Sequence, residues 1–294
     1  MILIDVLLPL FLMIGVGFFV GKMRAIDTKS IASITMFVLL PCLIFSSMTK
    51  RGTPNVLFII FFVIGFSAVL LALSVGVSRL FSFDKTQTSA FHLSNCFLNA
   101  SNYGVPFCLL AFGQEGMNIA LIYVVGSSIM LYTLAIFIAS RSKSGMGEAA
   151  RNVFRMPLIY AVLLAMVVNQ FAISIPEIVA KPVDLLGAAA VPLNILLLGI
   201  HLSKTKFLAT REVFSSNTIK LVLSPLIAYL VTFLLGIDGL LRNVLIVESA
   251  MPTAVNSLII AVEYDANPDF VSAAVLSSTL LSIVTLSILV MILG

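Results

Sequence analysis

Apolar runs of about twenty residues, separated by short polar breaks, recur along the whole chain. A hydrocarbon core about 30 Å thick takes about 20 residues of helix. Ten segments meet that length, at roughly 2–21, 31–49, 55–81, 87–112, 117–140, 157–175, 182–202, 218–236, 239–262 and 269–293. The pattern predicts an all-α polytopic membrane protein with ten transmembrane helices. The longest polar connection, Arg141 to Met156, divides the chain near its middle and leaves five segments on each side. In the N-terminal stretch MILIDVLLPLFLMIGVGFFVGKMR the basic residues follow the apolar run, the reverse of a signal peptide. It reads as a retained first span.

An odd number of spans per half inverts the second half relative to the first. Residues 1–150 and 151–294 are therefore expected to form two inverted five-helix repeats, the plan of many secondary transporters. Span 2 holds FVLLPCLIFSSM and span 7 holds AAVPLNILLLGIHL, which sets Pro41 against Pro192. Span 4 holds NASNYGVPFCLLAFG and span 9 holds AMPTAVNSLIIAVEY. A shift of 150 residues brings Asn102 onto Pro252 and Pro106 onto Asn256, so each span carries a proline and an asparagine four residues apart.

Irregular backbone at mid-membrane survives only beside a cavity or packed protein, because hydrocarbon satisfies no hydrogen bonds. Pro106 removes a donor and obstructs the carbonyl four residues earlier, and Gly104 loosens the same turn. Pro252 acts likewise in span 9. A plain proline kink packed on neighbouring helices is the simpler reading of either site. Two such sites in matching positions, with Asn99, Ser101, Asn102, Thr253 and Asn256 around them, favour a binding site. In that reading Pro106 and Pro252 each open a second half-helix. The free N–H groups and the helix dipole there favour an anion. The spans show no Lys or Arg at mid-depth, so the anion is expected to be held by helix ends and amides.

Glu248 lies inside span 9, four residues before Pro252. A charge at that depth costs several kcal/mol unless it is paired, protonated or ion-bound. Glu248 is thus the candidate for a coupling ion or proton, with sodium as the candidate metal ion, set against a structural hydrogen-bonding role. No other cofactor is expected.

Composition narrows the classes. The chain of 294 residues is 60% hydrophobic and 10% charged, with a mean hydropathy of +1.16, whereas soluble domains are about 25% charged. A soluble enzyme, a disordered chain and a disulfide-stapled secreted protein are excluded. Cys42, Cys96 and Cys108 lie in apolar runs away from other ligands, and His92 and His201 complete the histidines. A zinc site or a Ser-His-Asp triad has almost nothing to draw on. The net charge of +4 resides in loops: the set after odd-numbered spans, with Lys220 at the start of span 8, holds 13 Lys and Arg against 4 on the opposite side. The positive-inside rule then places both termini outside and the 141–156 loop in the cytoplasm. The same distribution argues against a nucleic-acid partner.

At these residues the chain resembles the auxin efflux carrier family, which groups plant PIN-type transporters with bacterial permeases. LPCLIFSSM at 40–48, NASNYGVPF at 99–107 and AMPTAVNSLIIAVEYDANPDFVSAAV at 250–275 carry the resemblance, and VPLNILLLGIHL at 191–202 agrees with it. It implies a scaffold from spans 1, 2, 6 and 7 and a moving transport unit from spans 3–5 and 8–10. Broken spans 4 and 9 would cross at the substrate site, in a fold similar to bile-acid sodium symporters. Asn99 falls on the asparagine opening the family's span 4 signature, Pro106 and Pro252 on its crossover prolines. Glu248 falls where those symporters have an acidic sodium ligand. The long cytoplasmic loop of many plant members is absent here. Bacterial relatives imply small carboxylates such as malate or malonate as substrates and the bacterial cell inner membrane as the location. A homodimer through the scaffold helices is a further expectation.

The leading function is secondary transport of a small organic anion by elevator-type alternating access. The alternative is a channel or passive membrane scaffold. An enzyme is disfavoured, since no His–carboxylate or Asp pair occurs at helical spacing within a span.

Overall fold

The computed structural model describes residues 6–51, 55–139, 155–205 and 208–293. Asp5 and most of the expected cytoplasmic loop lie outside the described residues. Helix α1 spans Leu8–Met23. Helix α2 (Thr28–Ile34) passes through a π-helical turn, Thr35–Leu39, into α3 (Leu40–Arg51), and α4 spans Val56–Leu80. Helix α5 (Lys85–Cys96) is followed by a gap, a π turn at Ala100–Gly104, and α6 (Val105–Met130). A further π turn, Leu131–Ala135, leads to α7 (Ile136–Ala139). The second half contains α8 (Pro157–Gln170) and α9 (Glu177–Ser203). Next, α10 (Arg211–Thr218) joins α11 (Ser224–Leu234) through a π turn at Ile219–Leu223. The chain ends in α12 (Gly239–Ser249), α13 (Val255–Glu263) and α14 (Pro268–Leu293).

Local chemistry sets several of these boundaries. The Asp27 carboxylate accepts from the Lys29 N–H, that of Asp84 from Gln87, and the Thr210 hydroxyl from Val213, each satisfying a donor that the first helical turn leaves open. Within α6, Gly113 has φ 66° and ψ −161°, a conformation open to glycine alone. It interrupts the helix between the fourth and fifth apolar segments.

Six helical stretches among the described residues are long and apolar enough to cross a membrane: Thr28–Lys50, Val56–Leu80, Ala100–Ala139, Glu177–Ser203, Arg211–Leu234 and Pro268–Leu293. Helices α1 and α8 are apolar but shorter. Large apolar side chains such as Leu12, Phe61, Leu234 and Ile292 face outward, an arrangement that suits hydrocarbon and not water. The protein is an all-helical, multi-pass membrane protein.

Packing falls into two groups. Helix α1 lies along α9, and α3 packs on α8 and α9. Gly17 and Gly199 make the first contact possible: a Cβ on Gly17 would strike the Leu196 carbonyl, and one on Gly199 the Ile14 carbonyl. Small residues allow such close approach between membrane helices. In the second group α4 packs on α5 and α6, α12 on α6 and α11, and α14 on α5, α10 and α13. The π turn at Ala100–Gly104 touches α9 and so joins the two groups.

Candidate functional site at the helix crossing

Helix α5 stops at Cys96 and α12 stops at Ser249, and the two gaps that follow cross each other. Leu98 and Thr253 form an antiparallel bridge. The Asn99 N–H donates to the Pro252 carbonyl at 2.9 Å, and the Ala254 N–H to the Phe97 carbonyl at 3.1 Å. Each gap thereby satisfies part of the other's exposed backbone, which neither could do alone in hydrocarbon. The Thr253 N–H donates to Ser278 Oγ (3.1 Å) and its hydroxyl to the Ser94 carbonyl (3.1 Å). Broken helices on opposite sides of the centre are locked into a single knot.

Pro106 falls in the first turn of α6, as the sequence expectation had it, although a π turn leads into that helix, whereas Pro252 opens no half-helix. After the first gap helical geometry resumes at Ala100, well ahead of Pro106. The N–H groups of Tyr103 and Gly104 both donate to the Asn99 carbonyl, at 3.2 and 3.0 Å. The wide π turn lets the chain run on into a proline that lacks an N–H for its own helix. Pro252 lies in the extended gap itself, and the second half-helix begins at Val255. The open N–H groups at the two helix starts therefore belong to the residues around Ala100–Asn102 and around Val255–Asn256.

Those residues share a cavity. A small cavity of about 40 Å³ is lined by Asn99, Ser101, Asn102 and Asn256, together with Ser67, Ser127 and Ser128. Ser101, Asn102, Ser128 and Asn256 also line a cleft of about 330 Å³. That cleft runs to Lys29, His201 and Glu263, on the side where Lys204 Nζ donates to the Ile26 carbonyl. A separate cavity of about 360 Å³ lies around Ser46, Lys50, Asn169 and Asp184 and has no crossover residue in its wall. The crossing is thus reached through the cleft on the side of Lys29, His201 and Glu263.

Asn99 is buried, and its side-chain Nδ2 has no hydrogen-bond partner. A buried amide left unpaired carries a desolvation cost that a bound acceptor would remove. Asn194 Nδ2 reaches Ser101 from α9 at 3.5 Å. Gly104, Pro106, Pro252 and Thr253 are buried at the crossing but do not line the cavity; they shape its backbone. Sequence reasoning passed over Ser127, Ser128 and Asn194. Their signal was small polar residues inside otherwise apolar helices.

Glu248 also stands apart from the cavity. It is fully buried, with Cys108 Sγ donating to Oε1 at 3.6 Å and Oε2 without a hydrogen-bond partner. A Cβ on Gly104 would collide with this carboxylate, so the glycine is what admits it. No group of three or more His, Cys, Asp and Glu side chains able to hold a metal ion occurs among the described residues.

Lys220 overturns one expectation outright. The apolar window placed it at the mouth of a span, as a topology signal. The helix instead begins at Arg211, nine residues earlier in number, because its first turns are polar. Lys220 is consequently carried inward, is fully buried, and donates from Nζ to the Phe97 carbonyl at 2.8 Å. A helix long and apolar enough to span a membrane does bury a basic side chain, and it touches the crossing.

The chain matches the family described as membrane transport protein, over residues 2–152 and 146–290. It is 25% identical to an uncharacterized transporter of Methanocaldococcus jannaschii, over 98% of both chains. An uncharacterized transporter of Methanothermobacter thermautotrophicus is also 25% identical, over 90% of this chain and 89% of its own. Auxin efflux carrier component 1 of Arabidopsis thaliana is 24% identical over 45% of this chain and 22% of its own length.

Proposed function

The chain belongs to the membrane transport protein family, one of transporters and not of enzymes, and from that premise we propose that it is a secondary transporter of a small organic anion, a mono- or dicarboxylate such as malate or malonate. The observation that carries this reading is the convergence of two helix N-termini and the amides of Asn99, Asn102 and Asn256 on one cavity reached through the cleft. Helix N-termini favour negative charge, and asparagine amides supply donors that fit a carboxylate.

The packing supports a reading of alternating access. Helices α1, α3, α8 and α9 act as the scaffold, and the group built on α4–α6 and α10–α14 carries the crossing past it, as an elevator. The ten-span plan of two inverted repeats, 1–150 and 151–294, accounts for the opposed directions of the crossing gaps. With the buried Lys220 set aside, the 12-to-4 bias of basic residues supports an open cleft on the cytoplasmic side and both termini outside. Impermeant thiol reagents should then leave Ser144→Cys unlabelled in intact cells; labelling would reverse the assignment.

Glu248 carries the coupling proton in this reading. Its carboxylate has a thiol and a glycine beside it, a poor cage for sodium, which prefers several oxygens. In proteoliposomes loaded with unlabelled malonate or malate, the carrier should accumulate labelled substrate by counterflow. An open pore would not trap the label, and that result would favour a channel. Glu248→Gln should keep exchange but lose accumulation driven by a pH gradient. A variant with wild-type accumulation would make Glu248 structural.

A further inference from the structure

Lys220 is the sole Lys or Arg fully buried among the described residues. It sits in the π turn Ile219–Leu223, and four residues later Ser224 begins α11. Both side chains reach the crossing. Lys220 Nζ donates to the carbonyl of Phe97, the C-cap residue just past the end of α5, at 2.8 Å. Ser224 Oγ donates to the carbonyl of Ser249, the last residue of α12, at 2.5 Å. One helix face therefore caps the C-terminal ends of both broken helices, one with a hydroxyl and one with an ammonium group.

The ends of helices carry partial negative charge and unsatisfied carbonyls. In a broken membrane helix such carbonyls are natural ligands for an inorganic cation. Here the position is taken. Phe97 contributes to the cavity wall, and its carbonyl already accepts from both Lys220 and the Ala254 N–H. A cation tethered to the chain needs no ion from solution and cannot leave with the substrate. When protonated, it also places a positive charge behind the wall of a cavity suited to anions.

We infer that Lys220 is a built-in cation of the crossing, doing the work of a bound sodium ion, so that the carrier holds its binding-competent form without sodium. This deepens the proposed function and rests on the crossing being the anion site. The cation requirement itself is testable without any substrate.

The test is thermal unfolding of the full chain in detergent, in sodium, lithium, potassium or choline chloride at equal ionic strength, with no carboxylate present. Wild type should melt within about 1 °C in all four, because no site remains for a cation to stabilise by binding. Lys220→Ala should melt lower, and sodium or methylammonium chloride, but not choline, should raise it by about 2–4 °C. Lys220→Met fills the same space without charge and should show no such recovery. Selective stabilisation of the wild type by sodium would overturn the inference, even if Lys220→Ala fails to fold. Equal behaviour of Lys220→Ala in all salts would overturn it too, leaving the lysine a structural donor. Because no carboxylate enters the measurement, its outcome is separable from a failure to find transported malate or malonate.

Discussion

The two gaps that meet at the crossing start from the same ingredients, a proline and an asparagine four residues apart, and reach different structures. After α5 the chain makes only a short extended stretch before Asn99, then re-enters helix through a π turn. Its proline lies downstream, inside α6. After α12 the gap is longer, and Pro252 sits within it and offers its carbonyl to Asn99. The shift of 150 residues therefore equates positions in different backbone settings: Asn102 is helical and Pro252 is not. Division of labour follows. The first gap supplies Asn99, Ser101 and Asn102 to the cavity, whereas the second supplies Asn256 and keeps its charged residue, Glu248, on the far side of Gly104. Proline marks where a helix will be disturbed, but its distance from the break decides whether side chains or backbone face the cavity.

This contrast can be broken most forcefully at Gly104. The added methyl of Gly104→Ala would overlap the Glu248 carboxylate and should cost about 3 kcal/mol, the upper range for overpacking. Melting temperature would show it, and Glu248→Ala in the same chain should recover most of the loss. If the two substitutions simply add, the two gaps are not in steric register. Next in size, Asn102→Ala and Asn99→Ala should each weaken malonate or malate binding by about 1–3 kcal/mol, read by isothermal titration. For Asn99→Ala the melting temperature should stay level or rise, since the Nδ2 group removed is buried and unpaired. Unchanged affinity in both variants would remove the first gap from the binding site.

A smaller effect separates backbone from cavity roles in the second gap. Thr253→Val loses the hydroxyl bond to the Ser94 carbonyl and should reduce stability by about 1 kcal/mol. Its carboxylate affinity should be unaltered, because Thr253 does not line the cavity. A loss of affinity with no loss of stability would exchange the roles assigned to the two gaps. Smallest of all is Ser224→Ala, which frees the Ser249 carbonyl. A cost of about 0.5–1 kcal/mol is expected, below that of removing the Lys220 ammonium from the matching end of α5.

Much of this was legible in advance. The lengths of apolar runs, the places where spans break and the polar trio after the first break are local properties. Span length is read against membrane thickness, and a proline disturbs its own turn wherever the helix lies. Of the residues named from their own neighbourhoods, Asn99, Ser101, Asn102 and Asn256 line the cavity, whereas Ser127, Ser128 and Asn194 were passed over. What tertiary structure alone decided is which distant groups meet. Pairing of Leu98 with Thr253, of Gly104 with Glu248 and of Lys220 with Phe97 links residues more than 120 positions apart, and no local pattern encodes such contacts. Lys220 shows the reason most plainly: hydropathy averages over a window, so a polar first turn shortened the expected span and left its lysine outside. That side chain is buried where another helix, broken elsewhere in the chain, ends beside it and presents a carbonyl to its Nζ.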